Sequence, residues 1–228
     1  MYMILRGFRL ARGDIRRLFI HIPKNAGTAV MRVPTVLDQT VAVNTLFLSP
    51  AYRRSLAKAG RSNHRHARLV DVSNVIRQRL RPFAVIRNPW SRVVSRYTFT
   101  KKQSLREGST SFCSFEEFLE ERHLHGERDF YWHCAMRGWG QQVEYVVDET
   151  GAIACDLLRF EFLDADLSTY LQRVVNVPHI RSSNNRDYRS FYSSRSIQIV
   201  ADWHAADIET FGFDFDTPAQ RAMTCNAG

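Results

Sequence analysis

The chain has 228 residues, 44% hydrophobic and 24% charged, which excludes a disordered or fibrous protein and supplies enough apolar material for one buried core. Thirty-two Lys and Arg against 23 Asp and Glu leave a net charge of +9, which favours an anionic partner: nucleic acid, an acidic glycan, a phosphorylated cofactor or a membrane surface. Cys113, Cys134, Cys155 and Cys225 are widely spaced with no CxxC pair, and they read as free thiols of a reducing compartment.

In chain order, the opening MYMILRGFRLARGDIRR sets Arg6, Arg9 and Arg12 into a short apolar stretch. It is too short for a membrane span and too interrupted for a signal peptide, so a cytoplasmic protein is expected. RRLFIHI (16–22) reads as a buried strand, and TAVMRV after it starts a helix that Pro34 should end early. AVNTLFL (42–48) is a second strand, and residues 50–60 form a helix with Pro near its start and Gly after its end. The spacing predicts a helix over 70–80, then a buried strand over 82–87. Asn88 caps the next helix with Pro89 at its first position, and Ser114 with Glu117 makes a capping box for a helix over 114–122. Residues 143–160 suggest two strands around a turn at 149–151. A helix over 164–175, a polar basic loop over 178–192 and a long serine-capped helix before Gly212 complete the chain. Helices alternating with apolar strands predict an α/β fold with a central parallel sheet. A single domain is expected over 1–228, with its core at about 17–215 and a tail at 216–228.

The first strand runs into HIPKNAGTAV (21–30). Backbone N–H groups at a helix start are unsatisfied, with the positive end of the helix dipole behind them. Small residues at Ala26, Gly27 and Ala29 would let an anion approach that backbone; Thr28 adds a hydroxyl and Lys24 a mobile charge. A tight strand–helix turn with a solvated lysine fits these ten residues about as well. The Walker pattern GxxxxGK[ST] is absent, and RLVDV (68–72) is a poor magnesium-binding aspartate, which disfavours an ATPase or kinase. FAVIRNPWSRVVSRY (83–97) repeats the strand–turn–helix plan, with Arg87 at the strand end offering a donor fork suited to phosphate, and Ser95 two turns into the helix.

Together these motifs resemble the sulfotransferases that use 3′-phosphoadenosine 5′-phosphosulfate (PAPS), the Golgi-type carbohydrate sulfotransferases and their bacterial relatives. IPKNAGTA is similar to that family's 5′-phosphosulfate loop, usually IPKTAGTS; Asn25 and Ala29 each remove a hydroxyl. FAVIRNPWSRVVSRY resembles its 3′-phosphate element, which places Arg87 and Ser95 on the 3′-phosphate. GAIACDLLRFEFLDADL (151–167) and the stretch 184–215 are similar to later parts of the family, so the likeness covers residues 17–215. It implies a P-loop-like three-layer sandwich with the sheet flanked by helices. Implied cofactor-binding residues are Lys24, Asn25, Ala26, Gly27, Thr28, Ala29, Arg87 and Ser95, with Arg186 and Ser193 added from the closing loop.

The chemistry implied is transfer of a sulfuryl group from PAPS to a hydroxyl of a carbohydrate acceptor, an anionic glycan among the options. Lys24 would stabilise the departing phosphate oxygen, and no metal is required. SNHRHARLV (62–70) supplies the base: in uronyl 2-O-sulfotransferases a His-x-His pair precedes the 3′-phosphate strand and its second histidine takes the proton. On that likeness His66 is the base and His64 a substrate-contacting or backup group, against the plainer reading that one or both are surface histidines. A zinc site from His64, His66, His123, His125, His133 and Cys134 matches no recognised spacing. Glu161 reads as structural at a strand end, and the aromatics at 130–133 and 138–140 as core rather than a sugar platform. The competing readings are a nucleotide-dependent kinase and a non-catalytic polyanion-binding module. No Lys-rich tail, zinc-finger spacing or RNP-like motif supports nucleic acid as partner.

Overall fold

The computed structural model describes residues 9–58, 65–106, 114–126, 140–178 and 187–217. Its centre is a four-stranded, wholly parallel sheet in the order β2-β1-β3-β4. The strands are β1 (Arg17–Ile20), β2 (Thr40–Ala42), β3 (Arg81–Ile86) and β4 (Asp156–Arg159). Helices α1 (Gly27–Val30) and α2 (Pro34–Leu37) link β1 to β2; α3 (Pro50–Lys58) and α4 (Asn74–Arg79) lead to β3. After β3 come α5 (Pro89–Arg106), α6 (Phe115–Gly126) and α7 (Val143–Val146). After β4 come α8 (Leu163–Leu171), α9 (Ser194–Trp203) and α10 (Ala205–Phe211).

Alternation along the strands builds two apolar layers, as a sheet covered on both faces requires. Leu18, Ile20, Ala84, Ile86 and Leu157 face a core with Trp90, Val93 and Tyr97 of α5, Phe118 of α6 and Phe211 of α10. Phe19, Phe83, Val85 and Leu158 face the other way, onto Val30 and Val36 of α1 and α2 and Leu167 and Leu171 of α8. The result is the α/β, P-loop-like layering expected of the sequence. Pro82 is tolerated because Arg81 donates to the Arg16 carbonyl on the β1 side (2.8 Å), which turns Pro82 toward β4, one residue before that ladder begins at Phe83 and Asp156. No helix among the described residues is long and apolar enough to cross a membrane.

Several expected elements differ. The strand over 42–48 stops at Ala42, because the Asn44 side chain accepts the Leu46 N–H (2.9 Å) and starts a 3₁₀ turn over Thr45–Phe47. The helix over 70–80 is a 3₁₀ turn at Leu69–Asp71 and a shorter helix from Asn74, since Ser73 N–H bonds the Phe47 carbonyl (2.8 Å) and Val72 bridges Leu48. Pro34 begins α2 rather than ending α1, which has already stopped at Val30. Residues 143–146 are helical although they read as a strand: the Asp207 carboxylate accepts the Val143 N–H (2.9 Å) and caps that turn from across the molecule. The helix over 164–175 ends at Leu171, with Gln172 left-handed (φ 52°). The long final helix breaks at His204 into α9 and α10. Asn88, the Ser114–Glu117 box and Gly212 (φ 70°) cap their helices as expected.

Candidate functional site

The chain leaves β1 for β2 on one side and later returns to β3 on the other, so the carboxyl ends of β1 and β3 flank the switch point of the sheet. That crevice is where open α/β sheets receive ligands. Ile20 pairs with Ala84 in register, so the loop after β1 and Arg87 after β3 emerge side by side.

Three consecutive loop residues are pinned from three directions. Arg92, fully buried on α5, donates through Nε to the Pro23 carbonyl (3.1 Å) and through Nη1 to the Gly140 carbonyl (2.8 Å). Arg87 Nη1 donates to the Lys24 carbonyl (3.0 Å). Asn25 Nδ2 donates to the Val85 carbonyl and to Gln142 Oε1, both 2.7 Å. Such pinning is needed because Lys24 (φ 71°) and Ala26 (φ 59°) are left-handed without being glycine, a conformation that costs about 1–3 kcal/mol per residue. Turned backbone of this kind makes a concavity of N–H groups for an anion. The Lys24 ammonium lies 4.1 Å from the centre of the Phe99 ring, which is 36% exposed.

Arg87 sits in a second cluster. Its Nε and Nη2 donate to Ser91 Oγ (3.0 and 2.8 Å), and its guanidinium lies 3.9 Å over the Phe160 ring. Burial draws its pKa down to about 10, opposed by the Glu161 carboxylate, so it is charged at neutral pH. Glu161 Oε1 accepts the Asn88 N–H (2.9 Å) at the start of α5, and burial raises this carboxyl above its usual range. Asn88 Nδ2 donates in turn to the carbonyls of Asp214 (2.8 Å) and Thr217 (3.2 Å), drawing the end of the described chain to the same strand end.

Beside the loop lie two histidines. His66 Nδ1 is 2.8 Å from the His21 carbonyl, and the two rings are 4.6 Å apart. A carbonyl can only accept, so Nδ1 carries the proton and Nε2 holds the lone pair. Burial lowers both pKa values, that of His21 to about 3, with the charges of His66 and Arg65 adding to the effect on His21. Gly27 owes its identity to His21: a Cβ there would stand 2.1 Å from His21 Cδ2. Gly27→Ala is therefore expected to destabilise the protein by about 1–3 kcal/mol as the imidazole is displaced. A lowered melting temperature, largely restored when His21→Ala is added, checks this; no recovery in the double variant would refute the contact as the cause.

The structure thus brings together Lys24, Ala26, Gly27, Thr28, Arg87 and His66. Other expected residues behave differently. Asn25 is 1% exposed; its amide Nδ2 donates to β3 and Gln142 and its backbone N–H to the Ile22 carbonyl (3.4 Å), which takes its donors out of the cradle. Ala29 is buried and its N–H bonds the Ala26 carbonyl (2.8 Å), which removes it from the cradle. The hydroxyl beside the Arg87 fork belongs to Ser91; Ser95 lies one turn further along α5. Ser193 is the N-cap of α9, its Oγ accepting the Ser196 N–H (3.3 Å). His64, Arg186 and the aromatics at 130–133 and 138–139 lie outside the described residues. Sequence reasoning missed His21, Arg92, Gln142 and Phe99. His21 lies inside the loop motif itself, but the other three act through contacts about 50 or more residues away or across a helix face.

The arrangement, a turned loop after β1 with a strand-end arginine and a histidine beside it, is one by which α/β folds can receive an anion where strand ends meet helix starts. The Sulfotransferase family matches residues 11–214, nearly the whole chain, and the chain belongs to that family. Transfer of a sulfuryl group is the general chemistry that membership carries. No curated protein and no solved structure shows a significant match.

Proposed function

We propose that the protein is a PAPS-dependent O-sulfotransferase whose acceptor is a hydroxyl of a carbohydrate. The observation that supports this best is the bond from Arg87 to the Lys24 carbonyl (3.0 Å): the two motifs meet at the carboxyl ends of adjacent strands, as one doubly phosphorylated nucleotide would require. On this reading the backbone N–H groups of Lys24 and of residues 26–28 receive the 5′-phosphosulfate, and Arg87, with Ser95, the 3′-phosphate. Ser91, already on the guanidinium, would have to share or yield the Arg87 fork.

His66 Nε2 then takes the proton of the acceptor hydroxyl as its oxygen bonds to sulfur. The bond from sulfur to the bridging phosphate oxygen breaks, and Lys24 meets the charge left on that oxygen. Lifting Lys24 from the Phe99 ring costs about 0.5–1 kcal/mol for a partly exposed cation–π contact, little against what the developing charge offers. The net charge of +9 suits an anionic glycan as acceptor.

Melting curves with 3′,5′-ADP, 5′-AMP and ATP test the reading. At about 100 times its Kd, a ligand confined to the folded state adds about 2.7 kcal/mol, which raises the melting point by roughly 5–10 °C in a domain of this size. 3′,5′-ADP is expected to win clearly, and Arg87→Ala to erase its advantage. Equal responses to all three nucleotides, or a magnesium-dependent preference for ATP, would overturn it in favour of a kinase-like site.

A further inference from the structure

We propose that Gln142 is a positioning residue that fixes the spacing between the two anion-receiving halves of the site; the proposal rests on the donor reading above. Gln142 is fully buried, and three of its four amide hydrogen bonds go to those halves. Oε1 accepts from Asn25 Nδ2 (2.7 Å) in the loop after β1 and from the Arg87 N–H (2.9 Å) after β3. Nε2 donates to the Arg87 carbonyl (2.8 Å) and to Asp207 Oδ2 (3.2 Å) on α10. Both backbone groups of Arg87 are therefore held by one side chain, and the same side chain grips the residue after Lys24. Asp207 closes the frame by accepting the Val143 N–H (2.9 Å), which fixes the backbone next to Gln142.

A rigid frame between two subsites matters most to a ligand that fills both. Once one phosphate is bound, the second meets its pocket at an effective concentration set by how well the spacing matches. A nucleotide with one phosphate gains nothing from that match. Gln142 thus supports the preference for a bis-phosphate while touching neither phosphate, and its loss is felt by one class of ligand alone.

Affinities of 3′,5′-ADP, 5′-AMP and 3′-AMP, measured by calorimetry beside melting curves, test this. In the unaltered protein 3′,5′-ADP is expected to bind about 100-fold more tightly than either monophosphate. In Gln142→Met the advantage should fall to about 5-fold or less, with the monophosphate affinities little changed. Should that variant not fold, the isosteric Gln142→Glu carries the test. It keeps an acceptor for Asn25 and the Arg87 N–H but loses the N–H given to the Arg87 carbonyl. Its advantage should be reduced at pH 7.5 and recover, relative to the unaltered protein at the same pH, as acidification protonates the buried carboxyl beside Asp207 and restores a donor. If the unaltered protein shows no preference for 3′,5′-ADP, the donor reading fails. If that preference exists and survives in both variants, or if all three ligands weaken together, the positioning role is refuted and Gln142 only stabilises the fold.

Discussion

Replacing His66 with alanine is expected to lower the rate of transfer by about 100- to 10,000-fold, the usual contribution of a positioned general base. Binding of 3′,5′-ADP should persist, because the His66 contacts to the His21 carbonyl and ring lie before the turn at residues 23–26. The pH profile adds a signed check. Only the neutral imidazole accepts a proton, and burial lowers the His66 pKa below its ordinary 6.5. The acid limb of kcat/KM in the unaltered enzyme therefore lies below pH 6.5, and activity is retained on the acid side where an exposed histidine would already have lost it. A limb above 6.5, or transfer that survives the substitution, would put the base elsewhere.

The second large effect is expected from Lys24→Met, with kcat falling about 100- to 1,000-fold, as when one preorganised charge-stabilising donor is removed. Methionine keeps the Cβ at a left-handed position and an apolar stem to lie against Phe99, so the loop should hold its shape. Affinity for 3′,5′-ADP should drop far less than kcat. Single-turnover transfer beside nucleotide binding separates the two, and a loss confined to binding would assign Lys24 to donor capture instead.

What was legible in the sequence was local. Arg17–Ile20 and Arg81–Ile86 announce themselves as short apolar runs bounded by charge, and Asn88 followed by Pro89 marks a helix start by chemistry within three residues. Gly212 ends α10 because glycine takes φ 70° cheaply, whereas Gln172 takes φ 52° with no such advertisement. The valine-rich stretch at 143–147 misleads because its N-terminal cap comes from Asp207, 64 residues away. The break at His204 was equally hidden, since a buried histidine beside Asp207 carries no local stop signal. For the site, the two motifs and their charged residues stand out, while the side chains that hold them in place do not. Arg92 reads as one more basic residue on a helix until Pro23 and Gly140 are found against it. Asn25 reads as a loop residue facing a ligand until Val85 and Gln142 claim its amide.

The ties from Asn88 to Asp214 and Thr217 bear on how the protein is made. Domains emerge from the ribosome amino end first, so the loop and Arg87 appear before the residues that hold them. Gln142, Asp207 and Asp214, which hold them, come only later in the chain. A nascent chain halted before those residues holds both motifs without the contacts that fix them, so the proposed nucleotide capture is expected only after Asp214 has emerged.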